Sequence, residues 1–506
     1  MNKIVSAEKM RQLERKVFDL GIDSFAVMEK AALRIADEIA ARFDNAAKIL
    51  AVCGKGNNGG DGLAVARMLK MAGYDVTVSL PFGEPCTADA QKNLEIVKKL
   101  DINIVEPTDF AGYDVIVDAL FGTGLLRDVE SDIPEKINSS GAYVVAADIP
   151  SGINSDTGAV CRAAVKADLT VALGFKKYGH SVYPGKEYCG ETVVQDIGIP
   201  FDGQCDTFET DMDFVKSAVP AAKKDAHKGD MGKLSVIAGS RGFTGAATLC
   251  CEAALKSGCG LVTLFTPENL NEIYEKKLTE AMTLPLSCEN FIDADLILEH
   301  SDKLKSAGAA IIGPGLGRDL DAEKIIKFLF ENEIPTVIDA DGINAVSGNI
   351  NILSEKKGEV ILTPHMGEFS RLTGISVEEI LSDRLGLARK FAAEYGVTLV
   401  LKGAGTVIAM PDGKAYINHT GNSGMATGGS GDVLAGIIGA FLARGIGAPK
   451  SSVAAVYIHG LAGDIAAEKL GCESMLPTDI ITCLPHALKI KKSGKLKASL
   501  RIIRQL

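Results

Sequence analysis

The segment Gly421-Asn422-Ser423-Gly424-Met425-Ala426-Thr427-Gly428-Gly429-Ser430-Gly431-Asp432 puts five glycines in twelve residues, directly before the apolar run Val433-Leu434-Ala435-Gly436-Ile437-Ile438. So much glycine destabilises the interior of a helix or strand, but it suits a backbone that turns tightly and bares its N–H groups. The apolar run reads as a helix starting at Asp432, so those N–H groups lie at the positive end of a helix dipole and form an anion site. Phosphate is the natural guest. A carboxylate beside phosphate is repelled unless it has a task, so Asp432 is either a plain N-cap or the acceptor of a proton from an attacking hydroxyl.

A chain of 506 residues is long for one core and suits two domains, each able to bury its own apolar interior. Its 46% hydrophobic and 24% charged residues are ordinary for an α/β enzyme. The net charge of −11, with no basic patch, argues against nucleic acid as a partner. Eleven scattered cysteines form no C-x-x-C pair and no zinc spacing, which points to a reducing compartment. No apolar run reaches the roughly 18 residues of a membrane span, and the N-terminus lacks a signal core, so the expectation is a cytoplasmic protein without a membrane partner.

From the N-terminus, Ser6 caps a helix with Met10, Leu13, Val17 and Leu20 on its apolar face, and Ser24 opens a second. Lys48 to Cys53 reads as a buried strand that runs into Gly54-Lys55-Gly56-Asn57-Asn58-Gly59-Gly60-Asp61-Gly62, with a helix expected from Leu63 to Met71. This is strand, glycine-rich turn, helix, a frame in which backbone approaches a pyrophosphate. The asparagines and Asp61 crowd the turn, so the spacing is not the dinucleotide fingerprint of an ordinary dehydrogenase. Further strands at 75–80, 115–118 and 143–147 end in polar residues, among them Asp118, Gly122-Thr123-Gly124-Leu125-Leu126-Arg127-Asp128 and Asp148-Ile149-Pro150-Ser151. Asn58, Asp118 and Ser151 offer only oxygen donors with one formal charge, which suits a weakly bound monovalent cation. Asp148 is either a turn cap or a proton-transfer group.

Between Gly198 and Asp225 the pattern loosens, and we set the boundary there, giving domains 1–215 and 216–506. A second α/β series follows, with strands expected at 233–240, 260–265, 309–313, 336–339, 360–363 and 399–402. Their ends carry Gly313-Pro314-Gly315-Leu316-Gly317, Asp339-Ala340-Asp341, Pro364-His365-Met366-Gly367-Glu368 and Lys402-Gly403-Ala404-Gly405-Thr406. All should meet the Gly428 to Asp432 helix start at one cleft. His365 reads either as a structural group at a strand end or as a ligand contact. The Gly-Ser-Gly-Asp arrangement also suits a small-molecule kinase of the ribokinase-like class, which would release a stable phosphomonoester.

Two resemblances follow from these motifs. The first half, through residues 54–62, Asp118 with its Phe-Gly-Thr-Gly-Leu, and Asp148-Ile-Pro-Ser-Gly, resembles the Rossmann-like epimerase domain that acts on hydrated NADH and NADPH. The second, through His227-Lys-Gly-Asp-Met-Gly, Gly-Pro-Gly-Leu-Gly, Leu-Thr-Pro-His-Met-Gly-Glu and Gly-Met-Ala-Thr-Gly-Gly-Ser-Gly-Asp, resembles the ribokinase-like, ADP-dependent dehydratase of the same hydrate. Together they cover nearly the whole chain in the order of the fused bacterial enzyme.

The resemblance implies that Asn57, Asn58, Gly59, Gly60 and Asp61, the run from Gly122 to Asp128 (Leu126 included), and Asp148 contact the hydrated nucleotide. It assigns potassium to Asn58, Asp118 and Ser151. In the second half it implies substrate contacts at Ala246, Gly315, His365 and Asp432, and adenine-nucleotide contacts at Lys402, Gly403, Ala404, Gly405, Thr406 and Gly431. Asp432 and Asp148 are the expected catalytic groups. ADP is the implied co-substrate, yielding AMP, with Mg2+ accompanying it. A homo-oligomer is expected.

Overall fold

In the computed structural model, residues 2–106, 110–125, 127–317 and 321–493 are described. The chain divides into two compact units, Lys3–Thr207 and Phe208 onward, the second interrupted at Leu381–Arg384.

The N-terminal unit is a doubly wound α/β domain. Seven strands lie in the order Asn103–Val105, Asp75–Ser79, Lys48–Cys53, Val115–Ala119, Tyr143–Ala147, Leu169–Leu173 and Glu191–Gln195 among the described residues. All neighbours are parallel. The order reverses between Lys48–Cys53 and Val115–Ala119, and ligands of such sheets bind outside the strand ends at that switch. Helix Ala7–Asp19 is capped by the Ser6 side chain as expected and buries Met10, Leu13 and Val17. Leu20 departs from expectation: it is the C-cap residue, past the last buried turn, and is exposed.

The glycine-rich turn is shorter than expected. The helix begins at Asn57 rather than Leu63 and runs to Met71, so Gly59, Gly60 and Gly62 lie inside it. Their role is close packing. A Cβ at Gly59 would sit 1.9 Å from the Gly54 carbonyl oxygen, and one at Gly62 would sit 2.5 Å from Ala119 Cβ and 2.8 Å from Cys53 Sγ. Alternation of small residues lets this helix lie directly on the two central strands.

The C-terminal unit contains the strand order Met282–Leu286, Leu261–Pro267, Lys233–Ile237, Ala309–Ile312, Thr336–Ile338, Val360–Leu362, Thr398–Leu401, Thr406–Ala409 and Ala415–Asn418. The strands are parallel through Thr398–Leu401. The last two are antiparallel additions that the βα pattern did not reveal. Helix Ser430–Ala443 is apolar on nearly every face and almost wholly buried, as befits a central helix. A Cβ at Gly436 would meet the Cys250 carbonyl oxygen at 2.2 Å, and one at Gly439 would meet Ile311 at 2.4 Å. These two glycines let the helix approach helix Thr244–Lys256 and the sheet at once.

The packing makes a test. In an open helix, Gly→Ala gains roughly 1 kcal/mol of propensity, but overpacking a rigid contact costs about 1–3 kcal/mol. Backbone and strand atoms at Gly59 and Gly62 cannot swing aside, so G59A and G62A should lower the denaturant midpoint. Gly245→Ala, inside helix Thr244–Lys256 where an added Cβ meets nothing within 4 Å, should not lower it.

Candidate functional sites

In the N-terminal unit the strand ends open on a cavity of about 1320 Å³. Of the expected contacts, Asn57, Asn58, Asp61, Gly122, Thr123, Gly124, Leu125, Arg127, Asp128 and Asp148 line it. Gly59 and Gly60 do not; they serve the packing just described. Leu126 lies outside the described residues.

Asp118 is fully buried behind this cavity. Its carboxyl accepts from the Ser151 amide at 2.8 Å and the Ser151 hydroxyl at 2.5 Å. Burial outweighs these bonds and pushes its pKa up to about 6. Asn58 lies against Gly122, whose added Cβ would be 3.3 Å from Asn58 Oδ1, while Asn58 Nδ2 is buried with no hydrogen-bond partner. The Phe121 amide donates to Ser151 Oγ at 2.9 Å, tying two strand ends together. A buried carboxyl with oxygen donors around it and no Lys or Arg in its hydrogen-bond set fits a monovalent cation.

Asp148 occupies the left-handed region at φ 67°, a conformation that Asp tolerates better than most residues. Its Oδ1 accepts from the Leu173 amide at 3.0 Å and is ion-paired with Lys177 Nζ. The His180 Nε2 lies 2.6 Å from the Asp148 carbonyl oxygen, while Nδ1 accepts from the Lys177 amide at 2.8 Å. Burial holds the His180 pKa down at about 4, so the ring is neutral and Nε2 donates. These bonds, rather than a simple turn cap, fix the Asp148 side chain at the cavity wall. Lys177, His180 and Glu14 were missed in the sequence. The signal for the first two was their position just past the carboxyl end of strand Leu169–Leu173.

In the C-terminal unit the expected segments do meet. Lys402 Nζ is 2.8 Å from Asp339 Oδ1 and 4.0 Å from Glu368 Oε2. A Cβ at Gly431 would be 3.2 Å from Lys402 Nζ and 3.7 Å from Asp339 Oδ2. Gly315 adopts φ 60°, and its Cβ would meet Ala246 Cβ at 3.0 Å, so those two expected contacts are neighbours. The Gly315 carbonyl accepts from Ser240 Oγ at 2.9 Å, and the Gly317 amide donates to Asp341 Oδ2 at 2.9 Å. Ala340, between the two aspartates, is held at φ 48°, ψ −115°, a strained conformation for a non-glycine residue. Thr406 Oγ1 donates to the Gly403 carbonyl at 2.9 Å, closing a turn around Ala404 and Gly405.

The glycine-rich loop is anchored from behind. Asp464 accepts from the Gly421 amide at 3.0 Å and from Asn422 Nδ2 at 3.1 Å, a partner that sequence spacing gave no way to find. The helix starts at Ser430, with Gly429 as N-cap at φ 102°. Asp432 is therefore the third helical residue and not the cap. Burial first, and then the charge of Asp339, push its pKa up to about 7, with Lys402 opposing. Burial also works against the Lys402 ammonium, but Asp339 and Glu368 overcome it and hold that pKa above the usual lysine value.

His365 is the N-cap of helix Met366–Thr373. Its Nδ1 accepts from the Gly367 amide at 3.0 Å and the Glu368 amide at 3.2 Å, while Glu368 reaches back to the His365 amide at 2.8 Å. The reciprocal pair is a capping box. His365→Ala should cost about 1 kcal/mol by thermal or denaturant unfolding, and His365→Asn, which caps by the same geometry, should restore most of it.

Residues 234–486 match the family model described as NAD(P)H-hydrate dehydratase, and residues 24–179 match that of the YjeF-related protein N-terminus. A bifunctional NAD(P)H-hydrate repair enzyme from Moorella thermoacetica is 38% identical, covering 96% of this chain and 96% of that protein. Its counterpart in Escherichia coli is 34% identical, covering 97% and 94%. Among solved structures, a ribokinase-like superfamily protein from Enterococcus faecalis is 30% identical with a TM-score of 0.50, covering 58% of this chain and 98% of that one. With strand order, cleft and end-to-end similarity in agreement, the chain belongs to the family of bifunctional NAD(P)H-hydrate repair enzymes.

Proposed function

We propose that the two units divide the repair of hydrated NADH and NADPH, the first acting through Lys3–Thr207 and the second from Phe208 onward, a division slightly before the expected one at 215 because Val215 packs in the second core. The first interconverts the R and S epimers at carbon 6. The second removes water from the S epimer at the expense of ADP, giving AMP, phosphate and NAD(P)H. The observation that carries this reading is Asp432, a half-buried carboxyl whose pKa is pushed up to about 7, in the first turn of a helix that opens on glycine.

Hydroxide is a poor leaving group, and phosphate is a good one. Asp432 takes the proton of the carbon 6 hydroxyl, the freed oxygen attacks the terminal phosphorus of ADP, and AMP departs. Loss of phosphate and of a carbon 5 proton then restores the double bond. The amides of Gly428 to Gly431 and the Lys402 ammonium stabilise charge on the transferred group. Gly403 to Thr406 and Gly431 bound the nucleotide, and Ala246, Gly315 and His365 the hydrated ring. Mg2+ accompanies the ADP phosphates and offsets their charge; the carboxylates around Lys402 are oxygen donors of the kind it takes.

In the first unit, Asn58, Asp118 and Ser151 would hold K+, which would offset the buried Asp118 carboxylate and supply positive charge near the nucleotide phosphates. Asp148 is the proton-transfer group. The segments around Asn57, Asp61 and Gly122 to Asp128 hold the rest of the substrate. Cytoplasmic residence and self-association complete the reading; eleven unpaired cysteines are consistent with a reducing compartment.

Mixed hydrated NADH should give NADH absorbance with ADP and none without it. Asp432→Asn should lower turnover by on the order of a hundredfold or more while nucleotide binding persists; near-normal turnover would remove Asp432 from the reaction. Its pH dependence has a defined sign. Asp432 must be ionised to accept a proton, so kcat/KM should fall about tenfold per unit below about pH 7. Asp339→Asn removes a neighbouring negative charge and releases Lys402, so the limb should move to lower pH.

A further inference from the structure

Helix Ala7–Asp19 lies outside residues 24–179, the segment that the N-terminal family model matches. It nonetheless brings Glu14 to the wall of the same cavity as Asp148 and Lys177. The Glu14 carboxyl makes no hydrogen bond or ion pair among the described residues, although it is close enough to Lys177 and Asp148 to feel both charges. Lys177 is committed elsewhere. Its Nζ is paired with Asp148 Oδ1 and donates to the Leu173 carbonyl at 2.9 Å, and its side chain is 1% exposed. The cavity thus holds one carboxylate locked in an ion pair and, within electrostatic reach, a second carboxyl with no partner.

We propose that Glu14 is the second catalytic residue of the epimerase, an acid that works opposite Asp148, with Lys177 as the positioning residue that holds Asp148 in place. This rests on the epimerase reading above and extends it to a reaction course. Inverting a carbon that bears both a hydroxyl and a ring nitrogen requires one bond at that carbon to break and re-form on the other face. The carbon 6 to nitrogen bond is the one that needs no external reactant. Asp148 removes the hydroxyl proton, the O–H electron pair becomes the second bond of an aldehyde carbonyl, and the carbon 6 to N1 pair passes to N1. N1 receives its proton from Glu14. Rotation about the carbon 5 to carbon 6 bond turns the aldehyde, N1 attacks the opposite face, and both protons return. Atoms and charge balance, and nothing is oxidised or reduced.

Two carboxyls in different environments are what such an exchange needs, because one must begin protonated and the other ionised. Burial raises the Glu14 pKa above the usual carboxylate range, and Asp148 adds to this while Lys177 opposes it. Asp61, on the same wall, is pushed higher still by burial and by the charges of Asp148 and Glu14. Loss of hydroxide from carbon 6 would instead give an iminium one proton away from NAD(P)H, which is the product of the other unit. Ring opening keeps the oxygen on the substrate and the two activities distinct.

The test uses the full chain with the R epimer, in excess ADP, so that each R converted to S is read as NADH. Glu14→Gln keeps the shape and removes the proton. It should lower kcat for the R epimer about a hundredfold with KM within twofold, and the rate on the pure S epimer should be unchanged. Glu14→Asp should recover part of the loss. In the parent protein, an R epimer labelled with 18O at carbon 6 should retain most of its label when it is recovered as S without ADP. The proposal is overturned if Glu14→Gln turns over the R epimer within threefold of the parent, if KM rises as far as kcat falls, or if the label washes out at the rate of epimerisation. A parent chain that never converts R to S would overturn the epimerase reading instead, before any variant is compared.

Discussion

Lys402 sits among more carboxylate than one ammonium can neutralise. It is paired with Asp339 at 2.8 Å and reaches Glu368 at 4.0 Å, while Asp432 makes no ion pair among the described residues. A buried ammonium is costly unless it is paired, and a buried carboxylate left outside the pair is costlier than a neutral carboxyl. Asp432 therefore shifts towards its protonated form, first through burial and then through the charge of Asp339, with a pKa pushed up to about 7. The N-terminal unit repeats the device with different parts: Lys177 pairs with Asp148, while Glu14 and Asp61 are displaced upward. In each unit one carboxyl is paired with a lysine, and a neighbouring carboxyl, set back from water and near that pair, has its pKa raised.

Such crowding needs the backbone to converge, and glycine makes the convergence possible by a route other than a phosphate cradle. At Gly313 an added Cβ would lie 1.7 Å from the Asp339 carbonyl oxygen, and at Gly54 one would lie 1.9 Å from that of Leu120. Neighbouring strand ends are thus drawn within hydrogen-bond reach of each other. Gly59, Gly62, Gly436 and Gly439 act likewise between helix and sheet. Packing at the glycines and electrostatics at the carboxyls are two sides of one arrangement, because the first sets the distances on which the second depends.

The alternation of strand and helix was legible from apolar runs, and strands such as Lys48–Cys53 and Tyr143–Ala147 fall where the sequence predicts. So was the convergence of strand ends, since a parallel sheet delivers its carboxyl ends to one edge. The start of the helix at Asn57 was not, because glycine is penalised in an isolated helix and only tertiary contact reveals why it is needed there. Of the two readings of Asp432, the N-cap fails because capping preference is local, whereas the cap is Gly429 in a left-handed conformation. The hairpin Thr406–Ala409 and Ala415–Asn418 carries no helix between its strands and so breaks the βα rhythm. Lys177 and Glu14 lie outside every glycine-rich motif, and their relation to Asp148 exists only in three dimensions.

The same electrostatic device serves two chemistries because of where the surplus carboxyl sits along its helix. Asp432 is the third residue of Ser430–Ala443, beside the unsatisfied amides of the first turn, so on the proposed reading a phosphoryl group bound there would lie within its reach. Glu14 is the eighth residue of Ala7–Asp19, where the helical amides are already bonded and offer an anion nothing. What remains at Glu14 is a carboxyl whose pKa burial raises, in the same cavity as a carboxylate that is already held in place. A carboxyl at a helix start is equipped to assist transfer of phosphorus, and one in mid-helix is equipped only to exchange hydrogen. Dehydration driven by ADP and reversible inversion at carbon 6 require those two capacities respectively.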